Sequence, residues 1–158
     1  MNPAELDAKL EAMGLAWPTL PAPAGSYRPV VADGPRLLVS GQLPMIDGGL
    51  IAQGTVPAAV SPERAAEAAR CCALNALAFV RRAIDGEWSR FDRVLHLRVY
   101  VASEPGFTGQ AGVANGASDF LADLLGEAGV HARAAVGCSA LPLGSPVEVE
   151  AVFRLTDG

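Results

Sequence analysis

The most constraining feature of the sequence is a long helical segment in the middle of the chain. Ser61 belongs to the residue types that cap helix N-termini, and Pro62 suits the first helical turn. An alanine-rich periodic stretch then runs to about Ile84, where Asp85-Gly86 ends it. We therefore predict one long helix with strands on both sides.

Five strand patterns and a further short run predict a sheet. Phe91 to Ala102 alternates, with Leu95, Leu97, Val99 and Val101 on one face and His96, Arg98 and Tyr100 on the other. Val30 to Ala32 and Leu37 to Ser40 flank a turn signal and predict a hairpin. Arg133 to Cys138 and Val147 to Leu155 predict the last two strands, and Leu50 to Ala52 is the further short run.

Two more helices complete the predicted order. Asn2-Pro3 begins an amphipathic helix that ends at Gly14, and a second helix is expected from Phe107 to about Glu127. The prolines between Trp17 and Gly25 favour extended geometry. We expect an α+β fold, a single sheet with two helices packed on one face, and two parts: residues 1–25 as helix and proline-rich arm, residues 26–158 as the domain.

Composition excludes several classes of function. The net charge of −5 disfavours nucleic acid, and no apolar run is long enough to span a membrane. The absence of a signal-peptide pattern and the odd set of three cysteines predict a cytoplasmic protein without a disulfide framework. No phosphate-binding loop, nucleotide-binding turn, zinc-ligand spacing or serine nucleophile elbow is present, so neither metal nor cofactor is indicated.

Arg133 carries the strongest chemical signal. It lies among alanine and glycine residues, which leave room for its guanidinium to bind a carboxylate through two parallel hydrogen bonds. The alternative is an ion pair with an acidic neighbour such as Glu148. A Glu148 buried near Arg133 would instead orient or activate a water, whereas Glu148 and Glu150 at a surface would form ordinary ion pairs. Cys138 is predicted to be a small packing residue, and His131 a helix-terminus residue.

Several motifs resemble those of the RidA (YjgF-type) family, which is also labelled endoribonuclease L-PSP. The chain is similar to a divergent branch of that family. The motifs are Ser26-Tyr27, Ser40-Gly41-Gln42, Asn115, Arg133, Leu141-Pro142 and Val147-Glu148-Val149-Glu150-Ala151. The arginine stands eight residues before Leu-Pro and fifteen before the first glutamate, and the likeness covers about residues 27–153.

The resemblance implies a chorismate-mutase-like fold, homotrimers with clefts between subunits, and hydrolysis of reactive enamines or imines to 2-keto acids and ammonia without a cofactor. Arg133 would hold the substrate carboxylate, and Glu148 would position the attacking water. The implied substrate-binding residues are Tyr27, Ser40, Gly41, Asn115 and Ala135. Many deaminases of the family have cysteine where this chain has Ala135, and backbone groups there remain available to a ligand.

Two other functions stay open at this point. A noncatalytic trimer that binds a small carboxylate metabolite would use the same arginine, and only turnover separates it from a deaminase. RNA cleavage, which the endoribonuclease label implies, is disfavoured by the acidic composition. The high apolar fraction, 51%, is consistent with a surface that faces a partner subunit.

Overall fold

A computed structural model describes residues 2–20 and 25–156 of the chain. Its main sheet has five strands in the order β1-β2-β7-β5-β6, and a separate ribbon pairs β3 with β4. The strands are β1 Val30–Asp33, β2 Arg36–Gln42, β3 Met45–Ile46, β4 Gly49–Leu50, β5 Phe91–Ala102, β6 Ala132–Cys138 and β7 Val147–Leu155. The α-helices are α1 Pro3–Ala12, α2 Pro62–Ala83 and α3 Gln110–Leu125.

Strand β5 lies between the two C-terminal strands and organises the sheet. It pairs antiparallel with β7 and parallel with β6, and β2 pairs antiparallel with β7 on the other side. The predicted strand from Phe91 to Ala102 is confirmed, as are the hairpin and the two C-terminal strands. The sequence did not indicate that β5 separates β6 from β7.

Helices α2 and α3 cover one face of this sheet, which confirms the α+β architecture. Ser61 caps α2 by accepting a hydrogen bond from the Arg64 amide at 3.2 Å, and Asn2 caps α1 in the same way. Inward side chains of β7 are buried beneath the helices: Val147, Val149, Ala151 and Phe153. Helix α1 adds a third helix, which packs on α3 and buries Leu6 and Leu10.

Three details differ from the sequence-based predictions. A β-bulge between Val94 and His96 brings Val94 into the core and leaves Leu95 half-buried, so Leu95 does not share the face of Leu97. Helix α3 begins at Gln110 rather than Phe107 and ends at Leu125, where a short 3-10 turn follows. The short run near Leu50 is only the second strand of a two-residue ribbon with β3.

The arm after α1 packs on the body of the protein. The Trp17 ring stacks on Trp88 at 5.6 Å between centroids, and the guanidinium of Arg81 on α2 lies 5.5 Å from the Trp17 ring. The extended geometry predicted for Pro21 and Pro23 lies outside the described residues. None of the helices in the described part of the chain is long and apolar enough to cross a bilayer.

The contact between α2 and α3 requires a glycine, which gives a test of the fold. A Cβ at Gly116 would overlap the carbonyl oxygen of Ala66 on α2, whereas a Cβ at Gly112 meets open space. We expect Gly116→Ala to lower the free energy of unfolding by about 1–3 kcal/mol. Gly112→Ala, the matched control on the same helix, should raise it by about 0.5–1 kcal/mol. Urea unfolding measures both, and equal effects would contradict this packing.

Candidate active site

Arg133 lies on the face of β6 that the helices cover. It is in register with the buried Leu97 of β5, and side chains in register share a face. Its guanidinium reaches α3, where Nη1 donates to Asn115 Oδ1 at 2.9 Å and to Ser118 Oγ at 3.0 Å. Nη2 donates to the Ala111 carbonyl at 3.3 Å. These three residues follow one stripe of α3, so the helix holds the arginine in a fixed direction.

All three partners of Arg133 are neutral. None of the ion pairs within residues 2–20 and 25–156 includes it, so its positive charge has no carboxylate partner there. A guanidinium has five N–H donors, and three are used. The Nε–H and one Nη2–H make no hydrogen bond within the described residues. An arginine in this state can accept a carboxylate without first releasing another anion.

Ser118 and His131 also belong to this cluster, although neither was predicted from the sequence to be a site residue. His131 Nε2 lies 3.0 Å from Ser118 Oγ, and His131 Nδ1 lies 2.5 Å from the Gly129 carbonyl oxygen. Burial lowers the pKa of His131 below its usual value, and the charges of Arg133 and His96 contribute in the same direction. The spacing of Asn115 and Ser118, one helical turn apart, was the signal that could have identified Ser118.

Glu148 lies on the opposite face of the sheet. It is paired in register with Tyr100 of β5, on the face that no helix covers. Its carboxylate lies against the backbone of Gly41, where a Cβ would overlap it. Burial raises the pKa of this half-buried carboxyl, and the nearby charge of Glu150 raises it further. A carboxylate with raised proton affinity is better suited to accept a proton from water.

Gly41 lies in an irregular part of β2 that other residues hold in place. The pairing of β2 with β7 shifts register between Val39 and Gln42, which is the signature of a bulge. Gln42 Nε2 donates to the Ser40 carbonyl at 2.8 Å, and Asn75 Nδ2 of α2 donates to the Leu43 carbonyl at 2.9 Å. These bonds fix the backbone that carries Gly41.

Ser40 and Tyr27 lie near the same end of β2. The Ser40 hydroxyl donates to the Arg28 carbonyl at 2.9 Å, so it fixes the segment next to Tyr27. The Tyr27 side chain is half exposed, which leaves its ring free to contact a ligand. The predicted site residues therefore form two groups: Arg133, Asn115 and Ala135 on the helix face, and Glu148, Gly41, Ser40 and Tyr27 near the open face.

The two groups do not meet within one chain. An ion pair between Arg133 and Glu148, and a Glu148 buried beside Arg133, are both wrong for the single chain, because β6 and β7 present these side chains to opposite faces. Ala135 shares the helix face with Arg133, being in register with Val99. Cys138 is in register with Ala102 on the other face, and burial raises the pKa of its thiol.

The open face of the sheet combines apolar and charged side chains. Val31 and Leu38 are 48% and 43% exposed, which is unusual for large aliphatic residues of a sheet. They border a shallow depression of about 360 Å³ that also includes His96 and Glu150. Arg98 pairs with Glu150 within the chain at 2.7 Å. Nothing in the described chain covers this face.

Comparison with known families identifies the fold. Residues 7–154 match the family model described as "YjgF/chorismate mutase-like, putative endoribonuclease". The chain belongs to this family. The resemblance drawn from Arg133, Leu141-Pro142 and the Val-Glu-Val-Glu segment is thereby confirmed.

Three relatives are similar over nearly the whole chain. Protein TCP17 of Trypanosoma cruzi is 42% identical over 151 residues, which are 95% of this chain and 94% of the relative. Atu1372 of Agrobacterium tumefaciens, a crystal structure of unknown function, is 41% identical with a TM-score of 0.90, covering 98% of this chain and 96% of that one. A "putative endoribonuclease" from Shewanella oneidensis is 32% identical with a TM-score of 0.90, covering 95% and 99%.

The close approach of Glu148 to Gly41 generates a test. Gly41→Ala should displace the Glu148 carboxylate towards solvent, because the side-chain end moves more easily than the backbone. We expect the pKa of Glu148 to fall towards its ordinary value while the fold is retained, measured by carboxyl carbon NMR titration. Gly112→Ala is the matched control and should leave this titration unchanged. An unaltered Glu148 titration in Gly41→Ala would contradict the contact.

Proposed function

We propose that this protein hydrolyses reactive 2-imino or 2-enamino acids to 2-keto acids and ammonia. The observation that carries the proposal is Arg133, which is held by neutral acceptors and keeps two N–H donors unused within the described residues. Substrates of this class carry a carboxylate next to the reacting carbon. Binding that carboxylate at Arg133 would place the carbon at a defined distance from the guanidinium.

The reaction needs few catalytic groups. An enamine first becomes the imine, as one proton leaves its nitrogen and one adds to the neighbouring carbon. Water then adds to the imine carbon, a C–O bond forms, and the proton lost by water passes to the Glu148 carboxylate. The C–N bond then breaks, and the nitrogen leaves as ammonia after taking up protons that came from the water. These intermediates hydrolyse slowly without help, so positioning and charge stabilisation suffice. Neither a metal nor a cofactor has a step in this proposal.

We further propose that the active site lies between subunits of a homotrimer. Arg133 and Glu148 lie on opposite faces of one sheet, so one chain does not direct both at one substrate. A neighbouring subunit that covers the open face would bring its own Arg133 cluster to Glu148, Gly41 and Tyr27. The exposed aliphatic side chains of Val31 and Leu38 support burial of this face.

The first test is a coupled assay in which a pyridoxal-phosphate dehydratase generates 2-aminoacrylate. Arg133→Ala removes the charge and both hydrogen bonds to the carboxylate, so it should lower kcat/KM by at least about 10- to 100-fold, the loss expected for even one charge-assisted hydrogen bond. Arg133→Lys keeps the charge but lacks the two-pronged geometry, so its kcat/KM should lie between those of the wild type and Arg133→Ala. Arg36→Ala, an exposed arginine paired with Asp33, is the control and should match the wild type. Full activity of Arg133→Ala would refute the assignment.

The second test addresses the shared site. Trimers are refolded from equal amounts of Arg133→Ala and Glu148→Gln chains, each of which we expect to have strongly reduced activity alone. Random mixing gives one intact Arg133–Glu148 combination at about a quarter of the interfaces, so about a quarter of wild-type activity should return. Each variant refolded alone controls for residual activity. If verified mixed trimers recover no activity, the two residues do not act on one substrate across an interface.

A noncatalytic carboxylate-binding trimer is the alternative that these assays separate. It predicts ligand binding that depends on Arg133 with no acceleration of imine hydrolysis. Cleavage of RNA is less compatible with a chain of net charge −5. On the open face, Arg98 also forms an ion pair with Glu150, which reduces the positive charge available to a polyanion.

A further inference from the structure

A hydrogen-bonded chain extends from Arg133 away from the proposed ligand. Arg133 Nη1 donates to Ser118 Oγ, and Ser118 Oγ lies 3.0 Å from His131 Nε2. His131 Nδ1 lies 2.5 Å from the Gly129 carbonyl oxygen, which can only accept a hydrogen bond. The network therefore assigns the imidazole proton to Nδ1 and leaves Nε2 to accept the Ser118 hydroxyl proton.

In this arrangement, the direction in which the Ser118 hydroxyl donates its hydrogen bond depends on the charge of His131. While His131 is neutral, Ser118 gives its single proton to Nε2 and presents its lone pairs to Arg133. When Nε2 takes up a proton it becomes a hydrogen-bond donor. The Ser118 hydroxyl then no longer donates its proton to Nε2. Ser118 is thus the physical link between the protonation of His131 and the guanidinium.

The charged groups around His131 favour its neutral form. Burial lowers its pKa most, the carbonyl of Gly129 opposes this, and electrostatic repulsion by Arg133 on β6 and His96 on β5 lowers the pKa further. The group that faces His131 from α3 is the neutral hydroxyl of Ser118. No acidic side chain within residues 2–20 and 25–156 forms a hydrogen bond or ion pair with His131.

We propose that Ser118 and His131 are positioning residues that couple carboxylate binding at Arg133 to proton uptake at His131 Nε2. The inference rests on the proposed function for the class of ligand. An anion on Arg133 offsets the positive charge that repels an imidazolium, so protonated His131 becomes more favourable in the complex. By linkage, protonation strengthens carboxylate binding by the same factor.

The sign of the pH dependence follows. The pKa of His131 is higher in the complex than in the free protein, so the complex binds the additional proton between these two values. Carboxylate affinity should therefore rise as the pH falls through this window, by at most about tenfold per pH unit. Above the window His131 is neutral in both states, and the coupling disappears.

The experiment uses pyruvate as a stable carboxylate probe. The chain has two histidines, so His96→Gln protein leaves one imidazole signal, that of His131, for NMR titration. We expect its midpoint to rise when pyruvate is added. Calorimetry in two buffers of different ionisation enthalpy should show proton uptake by wild-type protein near that midpoint. His131→Gln should bind pyruvate without proton uptake and with an affinity that no longer changes over this pH window.

Ser118 variants test the link itself. Ser118→Ala should weaken pyruvate binding by about tenfold, the equivalent of one hydrogen bond to a charged group, and should reduce the coupling to the part carried by direct charge repulsion between Arg133 and His131. Ser118→Thr retains a hydroxyl and should restore both. The NMR spectra report at the same time whether each variant is folded.

The outcomes separate this inference from the proposed function. If pyruvate binding depends on Arg133 but leaves the His131 midpoint unchanged, the coupling is wrong and the carboxylate site stands. If Arg133→Ala binds pyruvate as the wild type does, or if the wild type binds none at millimolar concentration, the carboxylate site is wrong and the coupling fails with it.

Discussion

The parallel pairing of β6 with β5 is the interaction on which the candidate site depends. Consecutive parallel strands require the chain to cross over the sheet, and α3 makes this crossing. The crossing places α3 over the face that carries Leu97 and Val99, so Arg133, in register with Leu97, points at the helix. A slip of one residue would turn Arg133 to the open face and Ala134 to the helix. Such a slip would break the three hydrogen bonds of Arg133 to α3 and would replace Gly137, where a Cβ would crowd Gln110 and Ser103, by a larger residue.

The second determinant is the kind of partner that α3 offers. Two arginines of the open face bind acids: Arg98 binds Glu150 and Arg154 binds Asp92. Arg133 instead meets an amide oxygen, a hydroxyl and a backbone carbonyl, which orient it without cancelling its charge. Orientation before binding reduces the conformational entropy that a ligand would otherwise cost. The combination of fixed geometry and uncompensated charge favours a small anion over an internal ion pair.

Much of the fold was predictable from local patterns, whereas the site was predictable only in part. The cap at Ser61 and the alternation from Phe91 to Ala102 identified their elements, because each signal is local in sequence. The bulge at Val94 was not predictable, since it is set by pairing with β7. Arg133 was identified by its small neighbours. The roles of Ser118 and His131 depend on which stripe of α3 meets β6, and that is a property of the tertiary packing.

The two faces of the sheet limit how Arg133 and Glu148 can cooperate. Rotamer changes do not bring them together, because the sheet itself separates them and each is held on its own side, by α3 and by Gly41. If both act on one substrate, they come from different chains. Complementarity supports that arrangement: the cation is on the edge strand β6, and the carboxylate is on an uncovered face that also carries the exposed aliphatic side chains of Val31 and Leu38. An interface that buries those side chains would also exclude water around the ion pair with the substrate, which strengthens electrostatic stabilisation where the reaction develops charge.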